Sequence, residues 1–447
     1  MADDILPPNV LRLISDKLYE KRKLAALEIE QLVKKLAAAG DHGRVRLLVD
    51  KLVSEYAFTV QPNHRKGALL CLAAAAVGLG NPTPEQLRLI VPPVLASFKD
   101  TDARVRYYAC EALYNVAKVA RESFLLFFND VFEALFKLCA DPEPNVQNAV
   151  TFLDNLVKDI VAASPADFNM PAFVPRLRAL LAAPVSSPKC RQFLISWITV
   201  LDSVPDLDLL SHLPALLEGL LGCLGDGARE IRVAAHKALM EFLSEVGANP
   251  CVDFPPMAAT LVGAAGCGDE FTRLTALKWV KEFVGLAPGQ LVGVYPAILA
   301  AVLANMSHAN ADIAEVSKQA SDALLANAPA AGASDAQGVQ LNTCAMLAAA
   351  SAELLGTGVT PTSLLPYDLG GGKANDPDAL PPAYMALGAP PAAKIAGGEP
   401  GRLEALRWVS WLLGRAQSVV LEQLPALLPA LLDALMSQSE AVAEGAL

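Results

Sequence analysis

FKDTDARVRYYACEALYNV (98–116) and CADPEPNVQNAVTFLDNLV (139–157) share one layout. Each closes an apolar helix, turns on an acid with Thr or Pro beside it, and opens a second helix near a Val-Arg or Val-Gln pair. LGDGAREIRVAAHKALMEFL (224–243) and CGDEFTRLTALKWVKEFV (267–284) follow the same plan. The turn acids Asp100, Asp141, Asp226 and Asp269 lie 41, 85 and 43 residues apart, and 85 is close to two periods. The skipped turn is expected near residue 184, where APVSSPKCRQFLISWI (183–198) puts Pro and Ser in place of Asp. Stepping on from Asp269 reaches Asn310. Stepping back from Asp100 reaches QPNHRKGALLCLAA (61–74) and then LYEKRKLAALEIEQLV (18–33).

A unit of about 41 residues, recurring about eight times up to residue 327, has the period of HEAT and armadillo repeats. Two helices per unit favour HEAT. The fold class expected is all-α, a HEAT/armadillo-like α-solenoid built as a superhelix of antiparallel helix pairs. Val105, Ala109, Leu113 and Val116 recur at three- and four-residue spacing and form a stripe that one unit cannot bury alone, so stacking supplies the stability. Each turn Asp can cap the following helix by accepting a backbone N–H. The Arg after Val105 and after Ile231 is placed to pair with an acid of the next turn, a ladder that sets register. Gln147 stands where sibling repeats carry Arg, which weakens the ladder there.

The phase breaks over 328–398, a stretch rich in Ala, Gly and Pro. Residues 356–398 read as disordered and 341–355 as a short helix. RLEALRWVSWLLGR (402–415) then echoes TRLTALKWVKEFVG (272–285), so repeats resume over 399–447. They stop in mid-unit without the polar cap a solenoid needs, which points to a truncated chain.

Apolar residues make up 53% of the 447 and the net charge is −11, which argues against a broad nucleic-acid-binding surface. Residues 1–66 run against that balance, with the clusters Lys21-Arg22-Lys23 and Arg65-Lys66. They read either as a solvated helix face or as a docking patch for a partner or an anionic membrane. The helix Asp16–Leu36 mixes signs and is expected to cap the stack. The eight cysteines include no CxxC pair and sit in apolar stretches, which fits a reducing compartment. Residues 283–311 carry no Lys, Arg, Asp or Glu, yet Pro288, Gly289, Pro296, Asn305 and His308 break them into two shorter pieces.

No catalytic apparatus is visible, and neither a cofactor nor a metal is implied. The five histidines are scattered, with no HExxH, and there is no GxSxG elbow. His236 reads as a packed or rim residue. Gly370-Gly371-Gly372-Lys373 lacks the spacing of a phosphate loop, and Ala374 stands where Ser or Thr would hold the metal. Asn305-Met306-Ser307 fits a glycosylation sequon of the kind that arises by chance.

Several strings are more specific than the repeat. NVLRLISDKLYEKRKLAALEIEQLVKKL (9–36), RVRYYACEALYNVAKVAR (104–121), RQFLISWITVLDSVPDLDLLSHLP (191–214) and REIRVAAHKALMEFL (229–243) resemble the vacuole-morphology HEAT-repeat scaffolds of the PIKfyve lipid-kinase complex, the Vac-fourteen family. The resemblance covers 9–327 nearly continuously and returns at 402–447. It implies a non-catalytic scaffold that joins a PIKfyve-type phosphatidylinositol-3-phosphate 5-kinase to a Sac-type lipid phosphatase. Such an assembly controls phosphatidylinositol 3,5-bisphosphate, peripherally on endosome, lysosome or vacuole membranes. It places kinase binding at about 61–160 and phosphatase binding beyond residue 447. The alternative, an importin-like transport or trafficking adaptor, lacks its Trp-Asn arrays, because none of the four tryptophans precedes Asn.

The docking surface expected is the rim of units two to four. Arg106, Tyr107, Tyr108, Tyr114, Asn115, Lys118 and Arg121 are its candidates, since Arg and Tyr are typical interface anchors. Arg106, Lys118 and Arg121 are the stronger ones, because Tyr107 and Tyr114 share a face and can instead pack between units. Phe152, Leu153 and Leu156 are expected in the inter-repeat core.

Overall fold

The computed structural model describes residues 5–183, 187–249, 252–328, 340–366 and 398–446. The expected turn at residue 184, Cys251 and the Gly370–Lys373 stretch lie outside the described residues. So does most of the segment read as disordered.

The described residues are helical, with no β-strand. The chain divides into two compact units, residues 1–173 with 185–207, and residues 174–184 with 208–447. The first unit holds α1 (Pro8–Ile14), α2 (Tyr19–Ala38), α3 (His42–Leu52), α4 (Pro62–Leu79), α5 (Pro84–Ala96), α6 (Ala103–Ala120), α7 (Phe128–Leu138) and α8 (Pro144–Ala163). Then comes α9 (Met170–Ala182), followed by α10 (Pro188–Asp202). In the first unit the second helices of successive pairs lie side by side, α2 on α4, α4 on α6 and α6 on α8. The stripe Val105, Ala109, Leu113 and Val116 is fully buried between them. Burial of each such aliphatic side chain is worth about 1.5–3 kcal/mol, so the seam between repeats supplies the cohesion that a lone pair lacks. An aromatic knot of Phe128, Phe132, Phe168, Phe173, Phe193 and Trp197 fills the end of this unit.

Close crossing in the first unit depends on small residues. A Cβ on Gly67 of α4 would lie 1.9 Å from the Ile14 carbonyl oxygen, and one on Gly78 would lie 2.6 Å from that of Glu30. The run Cys71-Leu72-Ala73-Ala74-Ala75-Ala76 is buried throughout. Helix α4 is therefore sunk beneath its neighbours.

The second unit continues with α11 (Leu213–Gly222), α12 (Arg229–Ala248), α13 (Phe254–Ala264), α14 (Glu270–Leu286), α15 (Tyr295–Leu303), α16 (Ala311–Asn327) and α17 (Thr343–Leu354). It ends with α18 (Glu399–Arg415), α19 (Gln417–Glu422), α20 (Leu424–Leu435) and α21 (Glu440–Ala446). Helix α17 lies within 341–355, where the sequence reads as a short helix inside a break. It is more than that: Met346, Leu347, Ala350 and Leu354 are buried, and it packs on α15 and α18 as the first helix of a repeat. The break thus falls on both sides of a genuine repeat helix. Trp408 of α18 donates to Ser321 Oγ at 2.8 Å, and Ser321 donates to the buried Glu404 at 2.7 Å, which ties α18 to α16.

Two stretches singled out in the sequence take their places here. Asn305 is 2% exposed and donates both amide hydrogens, to the Ala265 and Ala301 carbonyls, so the sequon is a packed structural amide. The uncharged stretch 283–311 is split by the end of α14 and by a turn before α15. Among the described residues no helix is long and apolar enough to cross a membrane.

Candidate partner-binding site

The turn at the start of each second helix carries the ladder. Arg65 holds Asp100 with two bonds of 2.6 and 2.9 Å, and Arg106 holds Asp141 with two of 2.7 and 2.9 Å. Each arginine also donates back to two carbonyls of its own turn: Thr59 and Val60 for Arg65, Asp100 and Thr101 for Arg106. The turn aspartates accept from the backbone N–H two residues on, Asp102 for Asp100 and Glu143 for Asp141, so they close the turn itself. Asp269 alone among the four caps its helix directly, accepting from the Thr272 N–H.

The ladder departs from expectation at two rungs. Arg232 donates to the Asp226 and Gly227 carbonyls of its own turn, while Asp269 serves as the cap of α14. Arg273 reaches Asn305 Oδ1 at 3.0 Å, so an amide replaces the acid. Gln147 keeps the carbonyl contact to Asp141 and accepts from Lys189, so that rung is substituted rather than lost.

These contacts decide what Arg106 can do. Its side chain is 12% exposed and that of Asp141 only 4%. Burial pushes the Asp141 carboxyl up, but the Arg106 guanidinium and the Glu143 N–H outweigh it and leave the group below the ordinary range. Arg106 is a register residue committed to its neighbour, not an open docking residue. Among the basic clusters, Arg65 is paired, Arg22 and Lys66 are buried, and Lys21 bonds Asp16 at 3.0 Å.

The open face of α6 carries Tyr107, Glu111, Tyr114 and Lys118, spaced four, three and four residues apart. Tyr107 is 39% exposed, Tyr114 is half-buried and Lys118 is exposed. Tyr108 turns to the flank. Its ring meets Tyr107 edge-on at 5.9 Å and Tyr19 at 6.2 Å, and its hydroxyl accepts from Arg22 at 3.1 Å. Asn115 donates to the Glu111 carbonyl of its own helix, so its amide is engaged. Arg121 is exposed, with φ of 46°, the only non-glycine residue described in the left-handed region. It closes α6 by donating its N–H to the Ala117 carbonyl.

Forty-one residues on, α8 repeats that face with Asn148, Phe152, Asn155 and Asp159, all exposed. Phe152 is 69% exposed, so it is not the core residue expected. Leu153 is fully buried and Leu156 half-buried. The repeat itself carries the signal that places Phe152: one period back stands Glu111, on an open face. The buried side of α8 carries a closed polar group. The Trp197 indole N–H donates to Asp154 at 2.7 Å, and Lys158 donates to Asp154 at 2.6 Å and to Ser196 at 2.8 Å.

No group of three or more His, Cys, Asp or Glu among the described residues is placed to hold a metal. Among the described residues no two cysteines form a disulfide, and burial raises Cys110 to about 12. His236 packs on Phe271, and burial together with Lys278 lowers its pKa.

Residues 63–159 match the family model described as the Vacuolar 14 Fab1-binding region. That span contains α4 to α8 almost entirely, with both open faces. The Protein VAC14 homolog of Arabidopsis thaliana is 50% identical over 319 residues, 71% of this chain and 42% of that protein. The vacuole morphology and inheritance protein 14 of Saccharomyces cerevisiae is 38% identical over 277 residues, 53% of this chain and 31% of its own. The Schizosaccharomyces pombe VAC14 homolog is 35% identical over 274 residues, 53% and 34% respectively. The chain thus spans less than half the length of these curated relatives. Among solved structures, the karyopherin Kap121p aligns with 98% of this chain and 48% of its own at 12% identity and a TM-score of 0.29. By the Fab1-binding-region match and these three relatives, the chain belongs to the family of Vac14 homologues.

Proposed function

We propose that the chain is a non-catalytic scaffold that holds a Fab1/PIKfyve-type phosphatidylinositol-3-phosphate 5-kinase through its N-terminal repeats. One observation carries this reading. The segment that matches a Fab1-binding region contains the second helices of two successive pairs, α6 and α8, with open faces in the same phase, and the latter presents a bare phenylalanine. A large ring left in water inside a ring of Asn and Asp is the kind of anchor that a protein partner covers. Tyr107, Tyr114 and Lys118 extend the patch; Arg106 and Leu153 support it from within.

The reading extends to the assembly that makes phosphatidylinositol 3,5-bisphosphate, with the chain held peripherally at a vacuolar or endosomal membrane by its partners. A Sac-type phosphatase would join only through sequence beyond these residues. Domain roles follow the same lines, with kinase docking at 61–160 and further repeats serving as spacer.

The test is Phe152→Asp in the whole chain, followed by co-precipitation with a Fab1-type kinase. At unchanged helical content and melting temperature, at least a tenfold loss of bound kinase is expected. Undiminished binding by the folded variant would remove this face from the interface.

A further inference from the structure

At the N-terminal ends of α6 and α8 a cleft of about 810 Å³ opens, with Lys66 of α4 on its lining beside Arg104, Tyr107 and Tyr108. Lys66 is 7% exposed, yet it makes no ion pair or hydrogen bond through its ammonium with any described residue. Its stem is packed and its ammonium is left to the cleft, a cation that a carboxylate from outside can pair.

A second cation stands behind the same wall. Arg22 is 3% exposed, and its Nε–H has no acceptor. Its other nitrogens donate to the Asp16 and Lys17 carbonyls and to Tyr108 Oη, none of them a carboxylate. The ladder shows why. Arg65 donates to the Thr59 carbonyl as Arg106 does to that of Asp100, so Thr59 is the turn residue of its own repeat. It stands where the acid facing Arg22 should be. Burial, followed by repulsion from Arg22, depresses the pKa of Lys66, while Asp102 acts the other way.

The two acids on the cleft offset this charge only in part, because Lys66, Arg104 and Arg22 outnumber them. Asp102 accepts from the Arg104 N–H at 2.8 Å and is engaged as the cap of α6. Glu143 stands exposed at the start of α8. The recess therefore has a cationic floor, aromatic walls and a rim bearing single negative charges. Such a rim tolerates a singly charged carboxylate better than a doubly charged phosphate. A flat lipid surface around a chain of net charge −11 cannot reach a lysine at the bottom of a cleft.

We infer that this cleft is an acidic-peptide site: a glutamate or aspartate of the kinase partner seats its carboxylate on Lys66 and Arg104, beside Tyr107 and Tyr108. The inference deepens the proposed function and rests on it for the partner, but not for the site.

The experiment uses the 447-residue chain and its Lys66→Met and Arg104→Glu variants, each with two probes. The first is fluorescein-labelled hexaglutamate, read by anisotropy at 20 mM and 300 mM salt; the second is a Fab1-type kinase. Lys66→Met removes a buried charge and keeps the stem, so it should melt no lower than the parent. Both variants are expected to bind hexaglutamate at least tenfold more weakly at low salt, and to lose the salt dependence of kinase binding. Equal hexaglutamate binding by parent and variants, or none by the parent, overturns the site. So does displacement of the probe by inorganic phosphate or by vesicles carrying phosphatidylinositol 3-phosphate at concentrations where free glutamate does nothing. A parent that binds hexaglutamate through Lys66 but not the kinase leaves the cleft standing and removes the kinase reading.

Discussion

Arg106 and Asp141 form a two-pronged ion pair across successive repeats, Nε to Oδ2 at 2.7 Å and Nη2 to Oδ1 at 2.9 Å. The same Asp141 Oδ1 closes the turn by accepting from the Glu143 N–H, so one carboxylate fixes both the turn and the register. A buried pair of this kind adds little over an apolar replacement, but removing one partner strands the other charge. Arg106→Met is therefore expected to cost about 3–5 kcal/mol. Asp141→Asn in the same chain should return part of that loss, because it removes the stranded charge and keeps an acceptor for the turn. Urea unfolding of the two single variants and the double variant measures the coupling; a fully additive double variant would show that the pair acts only as two separate side chains. Kinase binding by Arg106→Met should fall only as far as its folded fraction does.

Phe152 and Leu153 are neighbours with opposite fates, one 69% exposed and the other fully buried. Leu153→Ala should cost about 2–5 kcal/mol of stability through the cavity it leaves. Phe152→Ala should stay within about 0.5 kcal/mol of the parent, as surface changes do. Thermal melts of the two variants side by side decide the assignment. A destabilisation by Phe152→Ala as large as that of Leu153→Ala would put the ring back in the core.

Gly67 is where α1 crosses α4, with the Ile14 carbonyl only 1.9 Å from the position of a Cβ. Backbone cannot yield as a side-chain tip does. Gly67→Ala is expected to lower stability by about 1–3 kcal/mol, the usual range for overpacking, despite the better helix propensity of alanine. Hydrogen exchange should show the loss confined to α1 and α2. Unchanged protection there would mean that the crossing relaxes freely.

How far these features were legible varies with their physics. The repeat period, the buried stripe and the Arg106–Asp141 rung follow from residue spacing, because a stacked repeat brings equivalent positions together at a constant offset. Side-chain type alone sends Phe152 to the core, although its own period puts it one repeat on from Glu111, on an open face. The charge of Arg106 suggests an exposed docking residue, whereas the turn carbonyls and Asp141 bury it. Helix α17 was obscured because the flanking segments shift the phase, and only the packing of Met346 and Leu354 restores it to the stack. The burial of Lys66 could not be read at all. It depends on how deeply α4 sinks, which Gly67 and Gly78 set through contacts with distant backbone.

Glu353 of α17 lies against α18, its Oε1 only 2.2 Å from where a Cβ on Gly401 would stand. Burial raises its carboxyl to about 7, and the nearby Arg402 only partly opposes this. A carboxyl whose pKa is higher in the folded chain than in the unfolded one is no burden in acid, where both forms are protonated. Its contribution to stability is lost as pH rises from the ordinary carboxylate range through about 7, because the folded state then resists an ionisation that the unfolded state accepts. Glu353→Gln removes that ionisation and keeps the shape. The variant should match the parent near pH 4.5 and exceed it at pH 8, by up to about 3 kcal/mol at 1.36 kcal/mol per pKa unit. Melting curves of both chains across this range read the difference. Parallel curves would mean that Glu353 ionises freely in the folded chain and that the junction of α17 with α18 is open to water.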